Sequence, residues 1–141
     1  MGDIRSADRS APRDGHRVIV LDASAWVDVL VGGSSAQAFD DAIVVPPHFD
    51  AEVIGPLRGL VQRGTLPLAK AERAVDRHLR APFDRNFDPD DIQPAWRWRE
   101  FMSFTDAWYA VLARRLRVTW VTANPRAAAT AGLLGVEVEI I

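Results

Sequence analysis

A chain of 141 residues, 48% of them hydrophobic, has room for one domain with a single core and not for two. Its formal charge of −2, with sixteen arginines against the lone lysine Lys70, excludes a domain that coats nucleic acid by bulk charge, yet leaves a local acidic pocket open. The absence of cysteine excludes disulfides, thiolate metal sites and a cysteine nucleophile.

Residues 1–16 are polar, with Gly, Pro, Ser and alternating charges, and read as a disordered tail ahead of one domain over 17–141. Met1-Gly2-Asp3-Ile4-Arg5-Ser6 fits the short myristoylation pattern, but nothing after it supplies a second anchor. With no secretory apolar stretch and no run near the ~20 residues that span a bilayer, the expectation is a cytoplasmic protein without membrane association. At Arg17 the character changes. Val18-Ile19-Val20-Leu21 is a continuous apolar run, the pattern of a strand buried on both faces, and it ends at Asp22. Ala23 to Leu30 reads as a helix stopped by Gly32-Gly33, after which Ser34 or Ser35 caps a second short helix through Ala42. Ile43-Val44-Val45 is another buried strand, closed by Pro46-Pro47.

A longer helix is expected from about His48 to Arg63, with Val53, Leu57, Leu60 and Val61 at helical spacing, Gly64 at its end and Gly55-Pro56 kinking or loosening it. Residues 68–80 form a second amphipathic helix, Ala81–Pro89 are irregular, and Asp90 or Asp91 caps a helix through Phe101. Ser103 to Leu116 carries the cleanest helical signal. Phe104, Trp108, Val111, Leu112 and Leu116 make its apolar stripe, and Ser103-x-x-Asp106 reads as a capping box. A strand over 118–122 leads into Ala123-Asn124-Pro125, then a short alanine-rich helix and a last strand, Val136–Ile141. Buried strands alternating with helices predict a three-layer α/β/α domain on a central, mostly parallel sheet.

In an open parallel sheet, ligands collect at the carboxyl ends of the strands. Four polar residues fall at such ends or at helix starts facing them: Asp22 after the first strand, Glu52 opening the helix after the second, Asp106 in the first turn of the clearest helix, and Asn124 after the strand 118–122. Converging carboxylates repel one another, and a hard divalent ion such as Mg²⁺ or Mn²⁺ relieves that conflict. Such an ion can polarise a phosphoryl oxygen and activate water for in-line attack on a phosphodiester.

The segments Val-Ile-Val-Leu-Asp22-Ala-Ser24-Ala, Glu52-Val-x-x-x-Leu-Arg58, Thr105-Asp106-Ala-Trp-Tyr109-Ala-Val-Leu-Ala113 and Val-Thr122-Ala-Asn124 resemble the motif series of PIN domains. Their order and spacing are most similar to the VapC toxins of bacterial toxin–antitoxin pairs, over roughly residues 17–141. The resemblance implies a Mg²⁺- or Mn²⁺-dependent endoribonuclease acting on cellular RNA, a homodimer, and a cognate antitoxin that blocks the acidic pocket. Carried over position by position, Asp22, Glu52 and Asp106 match metal-binding acids, while Ser24 and Thr122 match polar residues beside the site. Asn124 stands where these toxins commonly carry aspartate, so it is the weaker candidate ligand, and a second metal is in doubt.

Each acid also has a plainer reading: Asp22 as a helix cap, Glu52 as a partner of its helix dipole, Asp106 as half of a capping box. Three acids at three equivalent places favour the metal site. Asp28 reads as a solvated helix residue at the pocket edge; Asp40, Asp41, Asp50, Asp90 and Asp91 read as caps and surface charge. His16, His48 and His78 are too scattered to assemble a zinc or histidine-base site. In Trp96-Arg97-Trp98-Arg99, one tryptophan is expected in the core and the other at an interface, and Arg114, Arg115 and Arg117 form a solvated helix end. A weak or inactive binder of RNA or a partner is the alternative, motivated by Asn124. Phosphotransfer folds fit poorly, since Ser24 stands where a phosphatase wants its second acid and Lys70 lies mid-chain.

Overall fold

The computed structural model describes residues 17–32, 39 and 41–141. The expected tail over 1–16 and most of the short helix expected from Ser34 or Ser35 lie outside them. In chain order the elements are β1 (Val18–Leu21), α1 (Ala23–Leu30), β2 (Ala42–Val45), α2 (Phe49–Gln62), α3 (Leu68–Arg80), β3 (Asp84–Arg85), α4 (Ile92–Arg97), α5 (Phe104–Leu116), β4 (Thr119–Thr122), α6 (Pro125–Leu133) and β5 (Val138–Ile140). The strands pair in the order β3-β2-β1-β4-β5, and every pairing is parallel, so the mostly parallel sheet expected is wholly so among the described residues. Strand order reverses beside β1, and that puts the β1 and β4 carboxyl ends next to each other.

The central strands β1 and β4 are buried along their whole length, which is why β1 is a continuous apolar run. Ile19, Val20, Leu21, Trp120 and Val121 have no measurable exposure, and Val45, Phe49, Val53 and Leu57 extend the core from β2 into α2. Helices α1, α2 and α3 pack on one another, whereas α5 lies along β1 and β4 with α4 beside it. Among the described residues no helix is long and apolar enough to cross a membrane.

Three polar networks join the layers, and two correct the sequence reading. Buried Trp26 donates its indole N–H to His78 Nδ1 at 3.0 Å, so the imidazole proton sits on Nε2 and is donated to Asp50 at 2.7 Å. Arg85 closes that chain with two bonds to the same carboxylate at 2.7 and 2.8 Å. Asp50 is therefore the acceptor of a structural network, not free surface charge, and arginine beside it lowers its pKa to about 2. Asp91 is 2% exposed and takes both arms of Arg115, at 2.7 and 3.0 Å, while Asn86 takes one of them as well. Arg115 thus ties α5 to the segment before α4 and is no solvated helix end. Arg17 bridges Asp41 and Glu139 at the opposite edge.

Elsewhere the boundaries shift for identifiable reasons. Ala42 opens β2 instead of closing a helix, since its N–H bonds Arg17 O. The stretch expected to be irregular contains β3, two charged residues added to the sheet edge by backbone pairing with β2. Helix α4 stops at Arg97, four residues short of Phe101, and its N-terminus follows a 3₁₀ turn over Pro89–Asp91 capped by the side chain of Asp88. The α2 helix runs unbroken through Pro56 because Gly55, lacking Cβ, relieves the clash a residue before proline makes. Trp98 packs on the core while Trp96 is 57% exposed beneath Arg99, the division expected for that pair.

Candidate active site

Asp22, Ser24, Glu52, Asp106 and Asn124 all line one cleft of ≈ 440 Å³ at the carboxyl ends of β1 and β4. Val27, Asp28, Pro56 and Tyr109 are also in its wall. The four positions singled out in the sequence therefore do meet, although they come from four separate parts of the chain. Asp28 is exposed at this wall, in keeping with a solvated residue at the pocket edge.

Asp22 leaves β1 with its backbone N–H bonded to Val121 O at 3.1 Å, which fixes it against β4. It is the N-cap of α1: Oδ1 accepts from Ala25 N–H at 3.1 Å and from Ser24 Oγ at 2.7 Å. The plainer reading of Asp22 as a cap is correct, and it does not compete with a role in the cleft, because the cap uses one oxygen of two. Burial raises the Asp22 pKa above the usual aspartate value, and the charge of Asp106 adds to it, while the Thr122 and Ser24 hydroxyls and the Ala25 N–H oppose the shift.

Ser24 and Thr122 lock the two strand ends together. Ser24 Oγ accepts from Ala123 N–H at 3.2 Å and lies 3.5 Å from Thr122 Oγ1, which in turn accepts from Asn124 N–H at 3.1 Å. Asn124 caps α6, its Oδ1 accepting from Arg126 N–H at 3.1 Å and Ala127 N–H at 3.2 Å. The acceptor sites of that oxygen are taken, and the amide nitrogen is what remains for a ligand.

Glu52 sits in the first turn of α2, and Asp106 in the first turn of α5, where Ser103 accepts from the Asp106 N–H at 3.2 Å. The Asp106 carboxylate lines the cleft and its pKa is raised, by burial first and by the charge of Glu52 as well. Two residues given no role by the sequence hold Glu52 in place. Tyr109 Oη donates to Glu52 Oε1 at 2.9 Å, and His48 Nε2 lies 3.5 Å from the same oxygen while donating to Thr105 O at 3.1 Å. Spacing alone hinted at both, since His48 and Glu52 stand four apart on one helix and Asp106 and Tyr109 three apart on another. Burial holds the His48 imidazole below its ordinary pKa although Glu52 and Asp106 pull it upward. Tyr109 is raised by burial and by the Glu52 charge and remains a hydrogen-bond donor.

The donors offered to the cleft are hard oxygens, the set that suits Mg²⁺ or Mn²⁺ and not a soft metal. Among the described residues no three Asp, Glu, His or Cys side chains already converge as a ligand cage. On top of burial, the charge of Asp106 raises Asp22 and that of Glu52 raises Asp106, and this like-charge part is the electrostatic conflict that a cation removes.

Comparison with known proteins gives the same picture. The family model described as "PIN domain" matches residues 19–133. The chain is 31% identical over 126 residues to Ribonuclease VapC3 of Mycobacterium tuberculosis, covering 85% of this chain and 92% of that protein. The crystal structure of PAE2754 from Pyrobaculum aerophilum superposes with a TM-score of 0.60 at 22% identity, covering 79% of this chain and 84% of that one. VapBC-1 from nontypeable Haemophilus influenzae gives a TM-score of 0.54 at 15% identity, covering 87% and 97%. At those identities the two structures establish the fold alone.

Proposed function

The chain belongs to the PIN-domain family, on its VapC ribonuclease side, and on that premise we propose that it is a Mg²⁺- or Mn²⁺-dependent endoribonuclease, the toxin of a type II toxin–antitoxin pair. The observation that carries this reading is the meeting of Asp22, Glu52 and Asp106 in one cleft at the switch point of a parallel sheet. Three acids drawn from the ends of β1, α2 and α5 have no need of a common cleft if each is only a cap.

In this reading the three carboxylates would hold the ion and water would complete its shell, while Asn124, the weaker candidate, offers no free oxygen as long as Oδ1 caps α6. The bound ion supplies Lewis-acid polarisation of a phosphoryl oxygen and a more acidic water. The protein's own part is positional. Asp22 presents the oxygen its cap leaves free, Ser24 and Thr122 keep the β1 and β4 ends in register, and the Asn124 amide nitrogen can donate to a phosphate oxygen. Buried Asp22 lies in the wall of the cleft with fully buried Thr122 behind it, so an RNA strand would approach from the solvent side.

A cognate antitoxin as partner and a cytoplasmic homodimer complete the proposal by resemblance to the VapC family. A weakly active or inactive binder of RNA or protein is the second reading, favoured by the neutral, cap-engaged Asn124. The test is incubation of purified protein with RNA and with DNA of the same sequence, in Mg²⁺, in Mn²⁺ and in excess chelator. Internal cleavage of RNA that chelator abolishes is the expected result; intact RNA under every condition favours the second reading.

A further inference from the structure

The contacts around Glu52 go beyond three acids in a cleft. Tyr109 Oη donates to one of its oxygens at 2.9 Å, and the His48 ring stands against the same oxygen, with Nε2 3.5 Å away. The same His48 nitrogen is bonded at 3.1 Å to the carbonyl of Thr105, the residue before Asp106. We propose that Tyr109 and His48 form a clamp that sets the spacing of Glu52 and Asp106 and leaves Glu52 Oε2 for a divalent cation, making Tyr109 and His48 positioning residues for that ion. The inference rests on the metal-site reading above and adds to it the pair of side chains on which affinity depends.

The clamp is more deeply buried than Glu52. Tyr109 is 1% exposed, its ring is stacked on Trp120 at 6.3 Å and 3°, and the His48 ring meets it edge-on at 4.8 Å. Trp120 belongs to β4, so the hydroxyl is referenced to the sheet itself. Glu52, by contrast, keeps a third of its side chain exposed and has a flexible stem whose rotamer freedom is lost when it is ordered. A carboxylate held in advance by the Tyr109 hydroxyl, with the His48 ring against it, avoids much of that ordering cost on binding, which is how outer-shell partners raise metal affinity. His48 also spans two helices, since it starts α2 and bonds the backbone of the first turn of α5. The distance between the two acids is thereby set by one imidazole. A hydroxyl buried only for packing could be satisfied by any carbonyl; this one is aimed at a carboxylate of the cleft that burial alone does not fix.

The experiment is titration of Mn²⁺ into the full chain by calorimetry, with the Mn²⁺-induced shift in Tm as a second readout. Tyr109→Phe keeps the ring and its stacking and removes the hydroxyl. The expected result is Mn²⁺ binding about 10- to 100-fold weaker, with little change in the metal-free Tm. In a Glu52→Gln background the same substitution should add no further loss, as a coupled pair requires. His48→Phe, which keeps a ring and removes the Nε2 donor, should weaken Mn²⁺ to a similar degree and serves if Tyr109→Phe does not fold. Wild-type affinity in either folded variant, or an equal loss with and without Glu52, overturns the clamp while leaving the metal site intact. A folded wild-type chain that binds no Mn²⁺ overturns both.

Discussion

Replacing Asp22 by Asn should make the metal-free protein more stable while abolishing its response to metal. Asn keeps the cap, because its amide oxygen can accept from Ala25 N–H and the Ser24 hydroxyl as Asp22 Oδ1 does at 3.1 and 2.7 Å. Its amide nitrogen then meets the Thr122 hydroxyl, which can accept as well as donate. What disappears is a negative charge 4% exposed and facing Asp106. The sign follows from linkage: the folded-state pKa of Asp22 is raised above 3.8, so the folded protein binds more protons than the unfolded one and loses stability as pH climbs above that value. Asp22→Asn removes that share of the loss. Asp22→Ala removes the charge and the cap together, and should fall below Asp22→Asn by about 1 kcal/mol, or about 4 °C in Tm. With Mn²⁺ at 100 times its dissociation constant, the wild type should gain about 2.7 kcal/mol and both variants nothing. The assay is thermal melting by circular dichroism at pH 5 and pH 7, in chelator and in Mn²⁺. A metal-free Asp22→Asn protein less stable than wild type at pH 7 would refute the argument that charge, not the cap, is what strains this position.

Arg85→Ala should destabilise the fold by about 1 kcal/mol at pH 7, a figure discounted because the Arg85 and Asp50 side chains are 46% and 40% exposed. Asp50 titrates at about 2 instead of 3.8, so its contribution is present above pH 3.8 and fades as pH falls toward 2; urea unfolding at pH 7 and pH 2 should show the two proteins converging at the lower pH. Arg117 ends α5 with φ 57°, ψ 47°, and Arg117→Gly should raise stability by about 1 kcal/mol, read as a higher urea midpoint at unchanged slope. Asn124→Asp keeps the α6 cap and adds a fourth charge to the cleft. It should bind Mn²⁺ more tightly and melt at a lower temperature in chelator, and an unchanged affinity would remove Asn124 from the account of the site.

The parts of the fold legible in the sequence were those where burial or a cap acts through the side chain itself. Val18–Leu21 is an apolar run because both faces of the sheet are covered there, as they are along buried Thr119–Thr122, and Ser103 announces α5 because its hydroxyl takes an orphan N–H. Asp84–Arg85 left no such trace, since an edge strand of two residues is held by backbone bonds to β2 and needs no apolar pattern. The end of α4 was equally hidden: Trp96 and Phe101 suit a helix, but the chain turns after Arg97, with Met102 N–H bonding Trp98 O before Ser103 begins α5. At the site, the acids were legible because strand ends and helix starts mark where a parallel sheet gathers ligands. Their supports were not. His48 and Tyr109 acquire meaning only when α2 and α5 are brought side by side, and Asp91 became a buried partner only once Arg115 reached it.

The central claim is that Asp22, Glu52 and Asp106 form one metal-dependent ribonuclease site. The most direct measurement is cleavage of RNA by the wild type and by Asp106→Asn, side by side in Mn²⁺, with circular dichroism confirming that both are folded. Asp106→Asn leaves the Ser103 cap untouched, because that bond uses the Asp106 backbone N–H. The expected result is chelator-sensitive cleavage by the wild type and none by the folded variant. Equal metal-dependent cleavage by the two would contradict the assignment.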